Sequence, residues 1–378
     1  MSLFIKFAQN NTRNVIIRHK EAQVLFVSCR KLSIVPSVYD GEQDPAPKFF
    51  SSQVQVLLKR LTRPDFSKVF RKRTSSGLQI LKTPTYKFLT NEELETEIAR
   101  AKRKANHLLQ MPPVVKIHKP INDVLSQDPA LIGYDTSTYL FTDISFGVDN
   151  AHRIIVQRDL DGILRKSDND IRKRLNQVYF PIKGRKIREP LMFSDAEKFN
   201  NLLDREQYEF VLDRACIQYE PDEPKYQEIT STTYQHVDMM NKYKLLRSTR
   251  HFGPLTFYLT WHQSIDNLML ELLQNNAIRE VVLLIALNHE IHGHVKDGEL
   301  AQELVKQILQ TPIQLKKPDI LAEEDIQLDN KCVDIVAKYI ISNSSMKSQQ
   351  ELALQGFRES YQELVDLSRG LKKAHGNA

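Results

Sequence analysis

The sequence predicts a mainly α-helical protein with a small antiparallel β element. After residue 190, apolar residues recur at spacings of three and four, the period of a helix with one buried face. Residues 138–165 are instead rich in β-branched and aromatic residues, which favour strands. Within them Asp161-Gly162 is a hairpin turn signal. We therefore expect the strands to be confined to one region and the C-terminal part to consist of helical hairpins.

The β element is expected to contain two strands and a short returning arm, at residues 138–145, 153–158 and 163–164. A helix should follow, because Ile171, Leu175 and Val178 share one helical face. Ser167, with Asp170 three residues later, is the predicted cap of that helix. We expect residues 138–190 to be the centre around which the chain is organised.

Two amphipathic helices are predicted before this region. The first spans residues 54–61, and the second begins at Thr90, with Glu93 completing a capping box. In the second helix glutamates precede arginines and lysines, an order that complements the helix dipole. Its apolar stripe consists of Leu94, Ile98, Ala101, Ala105 and Leu108. Pro112-Pro113 should follow its end.

Most of the remaining chain is predicted to be helical. Ser194 and Glu197 form a second capping-box pattern, for a helix running towards Tyr219 with a break near Glu206. A further helix should approach Gly253-Pro254, with Met239, Tyr243 and Leu246 on one face. A strongly apolar stretch, 264–289, is expected to split into a hairpin at Asn275-Asn276. Weaker patterns predict helices at 298–309, 325–342 and 346–369.

Composition excludes several classes of protein. The chain has 378 residues, of which 41% are hydrophobic and 26% charged, as in ordinary globular proteins. Its longest clean apolar run, residues 281–287, is far too short to span a membrane. The three cysteines lie far apart and form no CxxC pair, which argues against a disulfide framework and a cysteine-based zinc site.

Charge is concentrated at the N-terminus. Residues 1–39 carry six lysines and arginines against one glutamate, so +5 of the formal +6 lies there. A basic, acid-poor segment with interspersed apolar residues is typical of a mitochondrial transit peptide, although a basic tail would have the same composition. We therefore divide the chain into a transit peptide (1–39), a helical and extended segment (40–130), a β-hairpin and helix region (131–192) and a helical domain (193–378).

Patterns associated with catalysis are weak. His289-Glu290-Ile291-His292-Gly293 resembles a zinc-protease motif, but that motif requires histidine where Gly293 stands. A metal-dependent hydrolase using His289, His292 and His294 is therefore only an alternative. The sequence contains no GxSxG element and no glycine-rich phosphate loop. We predict that the protein is not an enzyme and binds neither a cofactor nor a metal.

Two basic segments interleaved with aromatic residues are candidates for RNA binding. Cations at turns suit phosphate contacts, and aromatic rings can stack on unpaired bases. Segments of this kind are also common on solvated surfaces. The predicted RNA-binding residues are Lys183, Arg185, Lys186, Lys244, Arg247 and Arg250.

Five strings in series resemble one protein family. They are 81–89 (LKTPTYKFL), 110–125 (QMPPVVKIHKPINDVL), 138–145 (TYLFTDIS), 177–187 (QVYFPIKGRKI) and 243–253 (YKLLRSTRHFG). Their order and spacing are similar to the family of protein twenty-two of the mitochondrial small ribosomal subunit, which is found in animal mitochondrial ribosomes. The resemblance implies a mostly helical, non-enzymatic protein that contacts small-subunit rRNA and neighbouring ribosomal proteins. A mitochondrial RNA-binding assembly factor is the alternative.

The charge imbalance generates a first testable prediction. The protein isolated from mitochondria should lack an N-terminal segment that ends near residues 30–40, because import removes a transit peptide. Intact-mass measurement would detect the loss. A full-length protein in the matrix would contradict cleavage.

Overall fold

A computed structural model describes residues 44–70, 86–133, 136–293, 298–311 and 321–374. It confirms a mainly helical fold with one small antiparallel sheet. The transit-peptide region, Cys29 and His294 lie outside the described residues. The helices are α1 (Ala46–Phe49), α2 (Ser52–Thr62), α3 (Phe66–Val69), α4 (Asn91–Leu108), α5 (Asn169–Tyr179), α6 (Leu191–Ser194), α7 (Ala196–Asp204), α8 (Tyr208–Gln218), α9 (Pro224–Met239), α10 (Tyr243–Leu246), α11 (Phe252–Trp261), α12 (Asp266–Gln274), α13 (Ile278–His292), α14 (Gly298–Gln310), α15 (Glu323–Asn343) and α16 (Lys347–Ala374).

Among the described residues the sheet has four strands, one more than the pattern predicted. They are β1 (Val124–Gln127), β2 (Tyr139–Thr142), β3 (Ile155–Arg158) and β4 (Ile163–Lys166), in the antiparallel order β1-β4-β3-β2. The predicted hairpin is confirmed as β3 and β4, joined at Asp161-Gly162. Strand β1, which the sequence pattern did not predict, pairs with β4. Its four residues are all exposed, so it lacks the apolar/polar alternation that marks a half-buried strand.

The core is built around α13, not around residues 138–190 as we expected. Residues 281–287 of α13 are each at most 1% exposed. Helices α2, α11, α12, α14 and α15 pack against α13. A helix that is apolar on every side must be surrounded in this way. Residues 138–190, by contrast, contribute no side chain to either hydrophobic cluster.

A second, smaller cluster shares α8 with the main core. Tyr208 and Leu212 of α8 belong to the main core, whereas Val211 and Ala215 belong to the smaller cluster. Cys216 packs against the smaller cluster and is partly buried, so burial raises the pKa of its thiol. Helix α8 therefore contributes side chains to both apolar regions. It also contacts both candidate basic segments.

Most predicted helix boundaries are confirmed. Thr90 and Glu93 form the expected capping box, with the Glu93 amide donating to Thr90 Oγ1 at 3.3 Å. The breaks near Glu206 and at Asn275-Asn276 separate α7 from α8 and α12 from α13. Glu206 and Asn276 both have positive φ, a backbone conformation that a helix interior does not allow.

Two predicted caps are wrong by one residue. Helix α5 has Asp168 as its N-cap, while Ser167 is 1% exposed and its amide still bonds to Ile155 at the end of the sheet. Helix α7 is capped by Asp195, whose carboxylate accepts from the amides of Glu197 and Lys198. In both cases the neighbouring aspartate stands where the chain leaves the preceding element.

The helix predicted to approach Gly253-Pro254 ends at Leu246 as the short α10, and a new helix, α11, begins around these two residues. Both residues lie in the first turn of α11, where proline is tolerated because its missing N–H would have no intrahelical partner. A Cβ at Gly253 would lie 1.8 Å from the sulfur of Met111, so a larger residue there would force the Met111 side chain to move. Gly253 thus leaves room for Met111, in the segment before the sheet, to pack against the core.

Gly162 should be indispensable to the hairpin. Its φ is +71°, and a Cβ would lie 2.2 Å from the carbonyl oxygen of Asp128. Gly162→Ala should therefore destabilise the fold by about 1–3 kcal/mol, since a non-glycine residue is strained there. Gly356→Ala is the matched control: Gly356 lies inside α16 with open space around it, and alanine should stabilise that helix by about 1 kcal/mol. Thermal unfolding should move in opposite directions for the two variants, and equal midpoints would contradict the packing argument.

Candidate nucleic-acid interface

The first candidate segment is a loop, residues 181–189, that is fixed to the C-terminal end of α8. The amide of Lys186 donates to Gln218 Oε1 at 3.0 Å, and Gln218 Nε2 donates back to the Lys186 carbonyl at 2.9 Å. Arg214 Nη1 donates to the Gly184 carbonyl at 2.9 Å. These bonds give the loop a defined conformation although it contains no helix or strand.

Arg185 is one of the residues that hold this loop against α8. Its Nη2 lies 2.6 Å from Glu220 Oε1, its Nε donates to the Ile217 carbonyl, and its side chain is 11% exposed. Gly184 allows the loop to lie close to α8. It has a φ of +89°, and a Cβ at this position would lie 3.3 Å from the Ile217 side chain. Arg185 therefore binds the loop to the C-terminal end of α8 rather than facing solvent.

The lysines of the same loop point outward. Lys183 and Lys186 are exposed, and the ring of Tyr179, at the end of α5, is 71% exposed. The loop thus carries two lysine ammonium groups near an aromatic side chain. Such groups can neutralise phosphates and stack on an unpaired base.

In the second candidate segment, Arg247 is an internal residue. Its guanidinium donates to Glu280 Oε2 at 2.8 Å and to Glu271 Oε2 at 3.0 Å. All three side chains are at most 14% exposed. Burial raises the pKa of Glu271, and Arg247 and then Lys244 act in the opposite direction. Arg247 thus fixes α10 to α12 and α13.

Arg250 is also engaged within the protein. Its Nη2 lies 2.9 Å from Asp213 Oδ1, and the same oxygen lies 2.9 Å from Nε2 of the fully buried His251. Asp213 therefore anchors the start of α11 to α8. Lys244, which precedes Arg247 and Arg250 in the sequence, has an exposed side chain.

The six predicted residues therefore divide by type. The three arginines make buried or half-buried ion pairs, and the three lysines are exposed. RNA binding by these six residues stays a prediction. The sequence pattern did not predict the acidic partners of these arginines. One signal was available, since Glu271 interrupts an apolar run of α12; an acid in such a run indicates a buried cationic partner.

The histidine segment lies at the end of α13. Gly293, with a φ of +74°, forms the C-cap, so the helix ends where a zinc motif would continue. His292 Nε2 lies 2.8 Å from the Thr260 carbonyl oxygen, and Glu290 accepts from Gln302 of α14. Across the described ranges, no three His, Cys, Asp or Glu side chains form a group that could hold a metal ion.

A groove of about 990 Å³ lies between the sheet, α5 and the chain before α9. Two of its cations are paired with acids: Lys173 with Glu223, and Arg185 with Glu220. Arg153 and Arg172 also line the groove and donate to backbone carbonyl oxygens. In the part of the chain that the structure describes, no helix is long and apolar enough to cross a membrane.

Comparison with known proteins points to one family. The family model described as "Mitochondrial 28S ribosomal protein S22" matches residues 47–293. "Small ribosomal subunit protein mS22" of Mus musculus is 38% identical over 261 residues, covering 69% of this chain and 70% of that protein. The Bos taurus protein of the same name is 34% identical over 315 residues, covering 83% and 80%. The matched region contains both candidate basic segments.

Arg247 and Lys244 form a matched pair for mutation. Arg247→Ala should destabilise the protein by about 3–5 kcal/mol, because it leaves the buried Glu271 without its arginine and removes one of the two arginines that pair with Glu280. Lys244→Ala removes a cation from the exposed surface and should change stability by no more than about 0.5 kcal/mol. Urea unfolding of the two purified variants would measure the difference. Equal midpoints would show that the buried ion pairs contribute little.

Proposed function

The chain belongs to the mitochondrial 28S ribosomal protein S22 family, and on that premise we propose that it is a structural component of the mitochondrial small ribosomal subunit. The observation that carries the proposal is the family match over residues 47–293, most of the described chain. The protein acts in mitochondria, where it supports translation as part of the ribosome.

The proposed role is to hold neighbouring components together rather than to catalyse a reaction. Supporting this, the core is filled by apolar side chains of α13 and its neighbours. The charged groups near it are used in ion pairs, such as Arg247 with Glu280 and Arg279 with Asp329. A rigid helical body of this kind can present fixed surfaces to rRNA and to other proteins.

Sedimentation tests the proposed function directly. A tagged form of the protein should cosediment with the small subunit from a mitochondrial lysate, in amounts equal to those of other subunit proteins. Presence only in immature particles would instead support an assembly factor. Absence from all particles would contradict the proposal.

Within this role we propose that the loop at 181–189 contacts rRNA through its exposed lysines. Lys183 and Lys186 supply the phosphate contacts, and Tyr179 supplies a stacking surface. Lys244 makes a further contact in the second segment. The arginines act indirectly, since Arg185 holds the loop on α8 and Arg250 holds α11.

Charge reversal of the two loop lysines tests this proposal. The double variant Lys183→Glu/Lys186→Glu should bind small-subunit rRNA fragments more weakly. Each lost phosphate contact should reduce the slope of log affinity against log salt concentration by about 0.7–0.9. Affinities measured at several salt concentrations would give the slope.

The control is Lys331→Glu/Lys338→Glu, which makes the same charge change at exposed positions of α15. It should retain more affinity and more of the salt dependence than the loop variant. Equal losses in the two variants would mean that net charge, not the loop, controls binding. Circular dichroism should be unchanged for both.

A further inference from the structure

Helix α4 stands apart from the hydrophobic core. Of its 18 residues only Ala105 is buried, and among the described elements α4 packs most closely against the short α3. Leu94, Ile98 and Leu108 are each 44–47% exposed. A helix of this length gains most of its stability from packing an apolar face, so α4 as described leaves its main stabilising surface uncovered.

The apolar stripe of α4, whose three large side chains are exposed, has the spacing of a coiled-coil seam. Its residues follow one another at intervals of four, three, four and three: Leu94, Ile98, Ala101, Ala105 and Leu108. This is the 3.5-residue period of a helix that packs along a second helix, and it covers two heptads. From Leu94 to Leu108, about 21 Å at 1.5 Å per residue, the large side chains of the stripe are exposed, while Ala101 is half-buried and Ala105 is buried.

Exposed aromatic rings of the preceding segment lie beside the C-terminal half of α4. Phe66 and Phe70 are stacked at 6.3 Å and are 38% and 39% exposed. Lys104 Nζ lies 5.9 Å from the ring centre of Phe70. The rings therefore extend the apolar surface next to the seam.

The charges beside the seam select the orientation of a partner. Glu95 and Glu97 flank the seam in the first heptad, whereas Lys102 and Lys104 flank it in the second. An antiparallel helix with the same order, acidic first and basic last, places opposite charges together along the whole length. That order also suits the partner's own dipole, whereas a parallel partner would need the reverse.

We propose that α4 is a docking helix that forms an antiparallel coiled coil with an amphipathic helix of another protein of the small subunit. The partner helix has an apolar seam of about two heptads, acidic flanks in its N-terminal half and basic flanks in its C-terminal half. This inference rests on the proposed function, because the assembled subunit supplies the neighbour. It assigns the basic half of α4 to a protein contact and not to rRNA.

Site-specific photocrosslinking in purified small subunits tests the proposal. A photoreactive residue is placed at position 94 or 108 on the seam, or at position 96 on the opposite face as a control. The two seam positions should crosslink to one helix of another protein, position 94 near its C-terminal end and position 108 near its N-terminal end. Position 96 should give much less product. Adducts with RNA, with this same chain or with a second copy, or a parallel order of crosslinks, would overturn the proposal.

A pair of charge variants provides the second measurement. Leu94→Arg/Ile98→Arg places cations on the seam, and Thr96→Arg/Ala99→Arg places the same charges on exposed positions away from it. Both should melt as the wild type does, because all four side chains are exposed. Incorporation of the seam variant into the subunit should fall by about tenfold or more relative to the control. Equal incorporation would overturn the docking role, whereas a wild-type protein absent from the subunit would instead refute the proposed function.

Discussion

The burial of α13 is the constraint on which the rest of the structure depends. Residues 281–287 are apolar around the whole circumference of the helix, and burying each large side chain contributes about 1.5–3 kcal/mol. No single neighbour can cover such a helix. Helices α2, α11, α12, α14 and α15, which come from distant parts of the chain, therefore have to meet around it.

Charged residues at the start of α13 fix the directions in which these neighbours leave the core. Glu280 accepts from Arg247 and Arg63, and Arg279 pairs with Asp325 and Asp329 of α15. Tyr361 of α16 adds a hydrogen bond to Asp329 at 2.7 Å. Arginine suits such positions, because its planar fork can donate to two carboxylates at once and it is less strongly hydrated than lysine. The same property explains why arginines of the basic segments face inward while lysines face solvent.

The elements that contribute least to the core offer the most surface to other molecules. Helix α4 and strand β2 both keep large apolar side chains exposed, including Ile98 and Phe141. Exposed apolar surface of this extent is typical of proteins that act within an assembly. The core thus forms a packed body, and its periphery leaves apolar surface accessible to other molecules.

The sequence by itself determined the helical class, most helix boundaries and the family. These follow from local signals: the apolar period, the Thr90 capping box, the Asp161-Gly162 turn and the five diagnostic strings. The tertiary structure alone decided which helix lies at the centre and what each cation does. Arg247 and Lys244 are indistinguishable in a charge pattern, yet one meets Glu271 and Glu280 in the interior and the other meets solvent. That difference depends on residues 24 and 33 positions beyond Arg247 in the sequence, brought close only when α12 and α13 pack.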